Sequence, residues 1–221
     1  MTASAQPTLP QTKEPSSARL ALTLAVAGLV SGLILVMAYE ITQPRIEAHR
    51  REALKRAVFE VVPGATKLAK LELQDGTLVT AAEKSEGPSV YAAWSDEAFL
   101  GWAVSGEGAG FQDTIRLLWG LTPDGSKVQG MQVIDSRETP GLGDRIYKDA
   151  DFVAEFKALA NDPKPEVVAN GQGTAPHHVD GITGATISCK AVVNIINAGN
   201  ETWRSKLPAT PAIQAPSGGQ P

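Results

Sequence analysis

The sequence predicts an α+β protein: one N-terminal membrane-spanning helix, then a small antiparallel sheet with helices. Three observations carry that prediction. An uncharged run of twenty residues occupies 20–39, apolar runs flanking tight turns follow between 89 and 134, and apolar residues recur at helical spacing from 186 onward. A chain of 221 residues builds one core of ordinary size with a small attached segment.

Composition removes several function classes. Lys and Arg number 20 against 24 Asp and Glu, for a net charge of −4, so the basic excess that phosphate-backbone binding needs is missing and nucleic acid is excluded as a partner. The single cysteine, Cys189, cannot form an internal disulfide, a thiolate zinc site or an iron–sulfur cluster. His49, His177 and His178 are too few and too clustered for a histidine metal centre, and no metal ligands are assigned.

Residues 1–19 and 207–221 are rich in Pro, Ser, Thr, Ala and Gln and are expected to be disordered tails. Between them, Leu20–Tyr39 reads as the transmembrane helix: at about 1.5 Å per residue it spans roughly 30 Å, the thickness of a bilayer core. A cleaved leader is the alternative, with Val36-Met37-Ala38 as its small-residue site. The apolar run is longer than a leader core, and nineteen residues precede it, which favours a retained anchor. Gly28, Ser31 and Gly32 suit contact with neighbouring membrane helices. Only Lys13 and Arg19 precede the run, whereas Arg45, Arg50, Arg51, Lys55 and Arg56 follow it. A count of basic residues therefore puts the rest of the chain in the cytoplasm.

Residues 40–62 continue as a juxtamembrane helix with Glu and Arg interleaved, kinked at Pro44 and stopped near Pro63-Gly64. The domain proper is assigned to 63–206. Ser89–Trp94 and Phe99–Val104 flank a Ser-Asp-Glu turn; Thr114–Leu121 and Lys127–Ile134 flank Thr122-Pro123-Asp124-Gly125, where Pro presets the bend and Gly permits the return. Asp149–Leu159 reads as a short helix. A longer one runs from Thr186 to about Lys206, with Cys189, Val192, Ile196 and Trp203 on one stripe. Cys189, Trp94, Trp102 and Trp119 are expected in the core, Trp119 being the tryptophan nearest to any bound ring, and His177-His178 in a solvated loop.

Two stretches carry the chemistry. Glu138-Thr139-Pro140-Gly141-Leu142-Gly143-Asp144 follows a strand, and its two glycines let backbone approach something flat. Read alone, such a polar loop is more often a plain connection. Asp180-Gly181-Ile182-Thr183-Gly184-Ala185-Thr186-Ile187-Ser188 leads into the last helix. Its acid and hydroxyls suit either a cap or an anion held by free amides and the helix dipole. It is neither a P-loop nor a dinucleotide fingerprint, because the Lys and the glycine spacing are missing.

The second stretch resembles the flavinylation signature Asp-x-x-(Ser/Thr)-Gly-Ala-Thr. With ETPGLGD about 35 residues upstream, Leu117-Leu118-Trp119-Gly120 and the single anchor, the chain resembles the G subunit of Rnf ion-translocating electron transport complexes, a relative of the C subunit of the sodium-pumping NADH:quinone oxidoreductase. The resemblance covers the anchor and most of 40–205. It implies covalent FMN joined by a phosphoester to Thr186 through an ApbE-type flavin transferase. Gly184 and Ala185 would keep the backbone slim there, Thr183 and Ser188 would bond the phosphate, and Asp180 would belong to what the transferase recognises. It also implies a cofactor wall built from Glu138, Thr139, Gly141, Leu142 and Gly143, with Leu142 against the isoalloxazine and the Gly108–Phe111 stretch shaping another side. No catalytic residue is assigned: the chain would carry electrons for an oxidoreductase complex and turn over no soluble substrate alone.

The implied partners are the other membrane and iron–sulfur subunits and the bilayer itself. The implied location is the inner membrane with the domain in the periplasm, which overrules the basic-residue count. Two alternatives keep the fold: an unmodified tethered scaffold subunit, and a flavin domain of another periplasmic electron chain. An intact Thr186 signature has no use in a scaffold.

Overall fold

The structure is a computed structural model and describes residues 16–74, 76–81, 89–96 and 98–216. Residues 1–15 and 217–221 of the expected tails lie outside them. The first compact unit, residues 1–50, is described by helix α1, Ser17–Val61, which continues into the second. Within it the apolar window is fully exposed to the surroundings, and it is the one helix among the described residues long and apolar enough to cross a membrane. Residues 16–19, expected in the tail, belong to or abut its first turn, and Thr23 folds its hydroxyl back onto the carbonyls of Arg19 and Leu20. The helix passes through Pro44 without a break.

The second unit, residues 51–221, is built on an antiparallel sheet. Its strands are β1 (Lys67–Gln74), β2 (Thr77–Thr80), β3 (Ser89–Ser95), β4 (Ala98–Ala109), β5 (Thr114–Leu121), β6 (Lys127–Asp135) and, after helices α2 (Arg145–Lys148) and α3 (Ala150–Glu155), β7 (Leu159–Ala160). Their order is β2-β1-β3-β4-β5-β6-β7. A separate parallel pair, β8 (Glu166–Val168) and β9 (His178–Asp180), precedes α4 (Thr186–Trp203).

Period-two alternation gives the sheet two apolar faces. Val90, Ala92, Trp94, Trp102, Val104, Leu117 and Trp119 join the core that includes α4. Tyr91, Ala93, Ala103 and Leu118 point the other way, onto Ala57, Val58, Val61 and Val62 at the end of α1. Each buried aliphatic side chain stabilises the fold by about 1.5–3 kcal/mol. Glycine sets how closely α1 approaches: a Cβ on Gly120 would stand 2.0 Å from the Val61 carbonyl oxygen.

The predicted strands are present: β5 has the expected bounds, β3 and β6 each run one residue longer, and β4 is extended at both ends. β4 runs past the expected end at Val104 to Ala109, where Gly106 and Gly108 give room to Ile195 of α4. The expected helix over 149–159 is shorter, since Leu159 leaves it to pair with Val128. The tail differs from expectation over 207–216: Leu207, Ile213 and Ala215 pack on the core, and Trp102 Nε1 donates to the Pro208 carbonyl at 3.1 Å. Three apolar residues spaced through a Pro-rich segment suffice to hold it there without secondary structure.

Candidate functional site

Helix α4 starts without a side-chain cap. Its N-cap is Ala185, and none of the nearby hydroxyls accepts an amide hydrogen bond from the first turn. Upstream, the Ala185 amide closes a turn onto the Ile182 carbonyl at 2.9 Å, and Gly184 at φ +86° makes the reversal, a conformation that a side chain rarely adopts. Thr183 and Thr186 emerge exposed from this turn, while Ser188 is buried.

The Glu138–Asp144 loop lies against this turn. A Cβ on Gly143 would fall 2.5 Å from Glu138 Oε2 and 2.9 Å from Ser188 Oγ, so only glycine lets the loop pass. A Cβ on Gly184 would sit 3.5 Å from Leu142 Cδ2, which places Leu142 beside the signature turn. Arg145 Nη1 donates to the Thr183 carbonyl at 3.3 Å. Inside the loop, Gly141 takes φ +78° and its amide donates to Asp144 Oδ1 at 2.7 Å, with Lys148 Nζ on Oδ2 at 2.6 Å.

Glu138 joins three segments. It is only 5% exposed, receives the Ser188 hydroxyl on one oxygen, and receives the amides of Gln112 (3.0 Å) and Asp113 (3.5 Å) on the other. Burial works against its ionisation, but the Ser188 hydroxyl and the amides of Gln112, Asp113 and Phe111 outweigh it. They hold the carboxyl below its ordinary range. Thr139 Oγ1 donates to Gln112 Oε1 at 2.7 Å, a second tie to the β4–β5 turn. Each tied segment exposes one large apolar side chain: Phe111 at 65%, Leu142 at 51% and Ile187 at 56%.

Several expected roles change. Glu138 is inside the clamp and does not face an open cleft. Ser188 gives its hydroxyl to Glu138, so it is not free to bond a phosphate from the exposed side. Asp180 does not cap α4: its Oδ1 accepts from Gln172 and Gly173 at 3.2 and 2.8 Å, which fixes the preceding loop. Trp119 lies fully buried under the far half of α4, where a Cβ on Gly199 would meet its ring at 2.3 Å, away from Thr186 at the other end. Cys189 is buried as expected, which pushes its thiol up, and its sulfur accepts from the Ile182 amide at 3.4 Å. Arg145, Gln112 and Ile187 join the site without belonging to the residues expected there. Their signals in the sequence are a cation directly after ETPGLGD and an apolar residue beside the signature threonine.

The histidine pair is half-buried rather than solvated. His178 Nδ1 accepts the amides of Thr174 and Ala175, both at 3.3 Å, which leaves the proton on Nε2, 3.1 Å from Glu166 Oε1. Glu166, His177 and His178 stand close enough to share an ion, but this tautomer commits His178 Nε2 to Glu166 Oε1, and His177 Nε2 lies 3.9 Å from the same oxygen.

Exposed apolar side chains on three tethered segments, with an uncapped helix start that presents a threonine, suit a planar, phosphorylated cofactor, in a chain whose N-terminal helix is long and apolar enough to cross a membrane. Family models agree: residues 110–200 match the FMN-binding domain, and 11–61 match the RnfG N-terminal region. The chain is 34% identical to the G subunit of the ion-translocating oxidoreductase complex of Cereibacter sphaeroides, over 80% of each chain. It is 31% identical to the G subunit of the proton-translocating ferredoxin:NAD(+) oxidoreductase complex of Clostridium ljungdahlii, over 76% of this chain and 82% of the relative. In fold it is similar to NqrC of Shewanella oneidensis, with a TM-score of 0.59 at 19% identity, covering 74% of this chain and all of that one. The chain belongs to the RnfG family, the G subunits of ion-translocating oxidoreductase (Rnf) complexes.

Proposed function

We propose that this chain carries FMN covalently on Thr186 and relays electrons through it within an ion-translocating ferredoxin:NAD oxidoreductase complex. The observation that carries the reading is the exposed Thr186 hydroxyl at the uncapped start of α4, with Leu142 of the second motif beside the turn that presents it. The residues fit the group. Free first-turn amides suit a phosphate, and Phe111, Leu142 and Ile187 offer apolar surface to a ring. Bound FMN supplies the electron uptake and release; the chain's part is to hold and orient it.

Attachment is a phosphoryl transfer from FAD catalysed by an ApbE-type transferase. The Thr186 Oγ–phosphorus bond forms as the pyrophosphate P–O–P bond breaks; AMP leaves with the bridging oxygen, and the hydroxyl proton is released to solvent. Thr183 is also exposed, and Asp180, bonded to the 172–173 loop, shapes the approach to the turn. Ser188 is protected from modification by its burial and its bond to Glu138.

On this reading the chain sits in the inner membrane by its N-terminal helix, with the FMN domain in the periplasm and the other membrane and iron–sulfur subunits as partners. A C-terminal alkaline phosphatase fusion is then active; an inactive fusion puts the domain in the cytoplasm. The relay is tested in the assembled complex. Reduced ferredoxin or NADH bleaches a flavin absorbance that a complex containing Thr186→Val lacks. A flavin on this subunit that stays oxidised on both additions contradicts the relay.

A further inference from the structure

We propose that Arg145 binds the phosphate of the flavin on Thr186, governing how readily that hydroxyl is modified and where the attached group points. The inference rests on the reading of Thr186 and adds a residue outside both motifs.

Arg145 opens α2 directly after ETPGLGD, and its guanidinium is fixed at two points. Nη1 donates to the Thr183 carbonyl at 3.3 Å, and Nη2 pairs with Asp149 Oδ2 at 2.8 Å. Thr183 belongs to the turn closed by the Ala185 amide on the Ile182 carbonyl, and Thr186 begins the helix directly after it. The cation is thus anchored on the turn that presents the acceptor.

Three features fit this cation to a phosphodiester. The two contacts engage two of the five guanidinium donors, and the side chain is 42% exposed, which leaves donors for a ligand. Lys148, one turn on, is tied to Asp144 at 2.6 Å. The first-turn amides of α4 have no side-chain acceptor. A phosphate ester on Thr186 would find both free first-turn amides and a guanidinium held on the adjoining turn, a group that binds phosphate better than Lys through its planar fork. The same charge would favour the anionic FAD during transfer.

The experiment follows covalent labelling of the full-length, detergent-solubilised chain by purified transferase and FAD. Initial rates are read from in-gel flavin fluorescence, and the labelled protein is then studied by phosphorus NMR. Arg145→Gln is expected to slow labelling on the order of tenfold and to move the diester resonance. Arg145→Lys is expected to slow it less. Asp149→Asn removes the charge of the intramolecular pair but keeps the guanidinium and a side-chain acceptor beside it, and is expected to slow labelling less than Arg145→Gln. Arg145→Gln labelling at the wild-type rate with an unmoved resonance overturns the proposal. So does Asp149→Asn slowing labelling as much as Arg145→Gln, because Arg145 would then act only through its pair with Asp149. A wild type left unlabelled, while another acceptor is labelled by the same transferase, removes the reading of Thr186 and this assignment with it.

Discussion

Ser188, on the first turn of α4, donates its hydroxyl to the buried carboxylate of Glu138, fifty residues upstream. The same carboxylate takes two amides from the β4–β5 turn. One side chain thereby joins the hairpin tip, the ETPGLGD loop and the helix start. Replacing it by alanine leaves those donors unpaired in the interior. Glu138→Ala is expected to lose about 1–3 kcal/mol by urea unfolding and to label poorly with flavin. Ser188→Ala in the same background adds little, because both changes remove the same bond.

The clamp has a pH dependence. The Glu138 carboxyl is held below its ordinary range, so it contributes stability that is present above about pH 4.3 and is lost as pH falls through the lowered pKa. Asp124 follows the same sign in a lower window. The Thr122 hydroxyl, the Ser126 amide and the Ser126 hydroxyl hold it at about 2. Urea midpoints between pH 7 and 3 should fall more steeply for wild type than for Glu138→Gln. Equal slopes would show that Glu138 contributes nothing to the pH dependence.

Glycine at 143 is a second control point. Gly143→Ala pushes a methyl into Glu138 Oε2 and Ser188 Oγ, and overpacking of this kind costs about 1–3 kcal/mol. Flavin attachment should fall with it. Gly141→Ala meets open space but strains a backbone at φ +78°. It should cost less, and it should spare the clamp as read by Ser188-dependent stability.

Trp119 tests the boundary between core and site. Its Nε1 donates to Asn200 Oδ1 at 2.8 Å, Asn200 Nδ2 to Asn161 Oδ1 at 2.6 Å, and Asn161 Nδ2 to the Gly125 carbonyl at 3.0 Å. Trp119→Phe strands Asn200 and should cost about 1–3 kcal/mol while leaving the flavin absorption spectrum unchanged. A shifted spectrum would bring the ring back to the cofactor.

Much of this is legible in the residues. The uncharged run, the Pro-Asp-Gly turn, and the stripe of Cys189, Val192, Ile196 and Trp203 each state a local preference that packing does not override. The two motifs are legible as special, and their meeting is not: Gly143 against Ser188 is a contact between segments that no local pattern encodes. For the same reason Glu138 reads as a cofactor contact when its partners are a buried hydroxyl and backbone amides. β1, β2 and the short strands β7 to β9 escape a sequence reading because their residues are mixed in polarity, and pairing rather than composition defines them. The 207–216 segment reads as tail because its prolines hide three apolar anchors.

The central claim is that Thr186 carries the flavin. The direct measurement is in-gel flavin fluorescence after denaturing electrophoresis of the chain exported in cells that contain a flavin transferase, as wild type, Thr186→Ala and Ser188→Ala. A fluorescent wild type, a dark Thr186→Ala and a Ser188→Ala band that still fluoresces are the predicted result. A dark wild type beside a fluorescent control acceptor, or a Thr186→Ala band as bright as wild type, would contradict it.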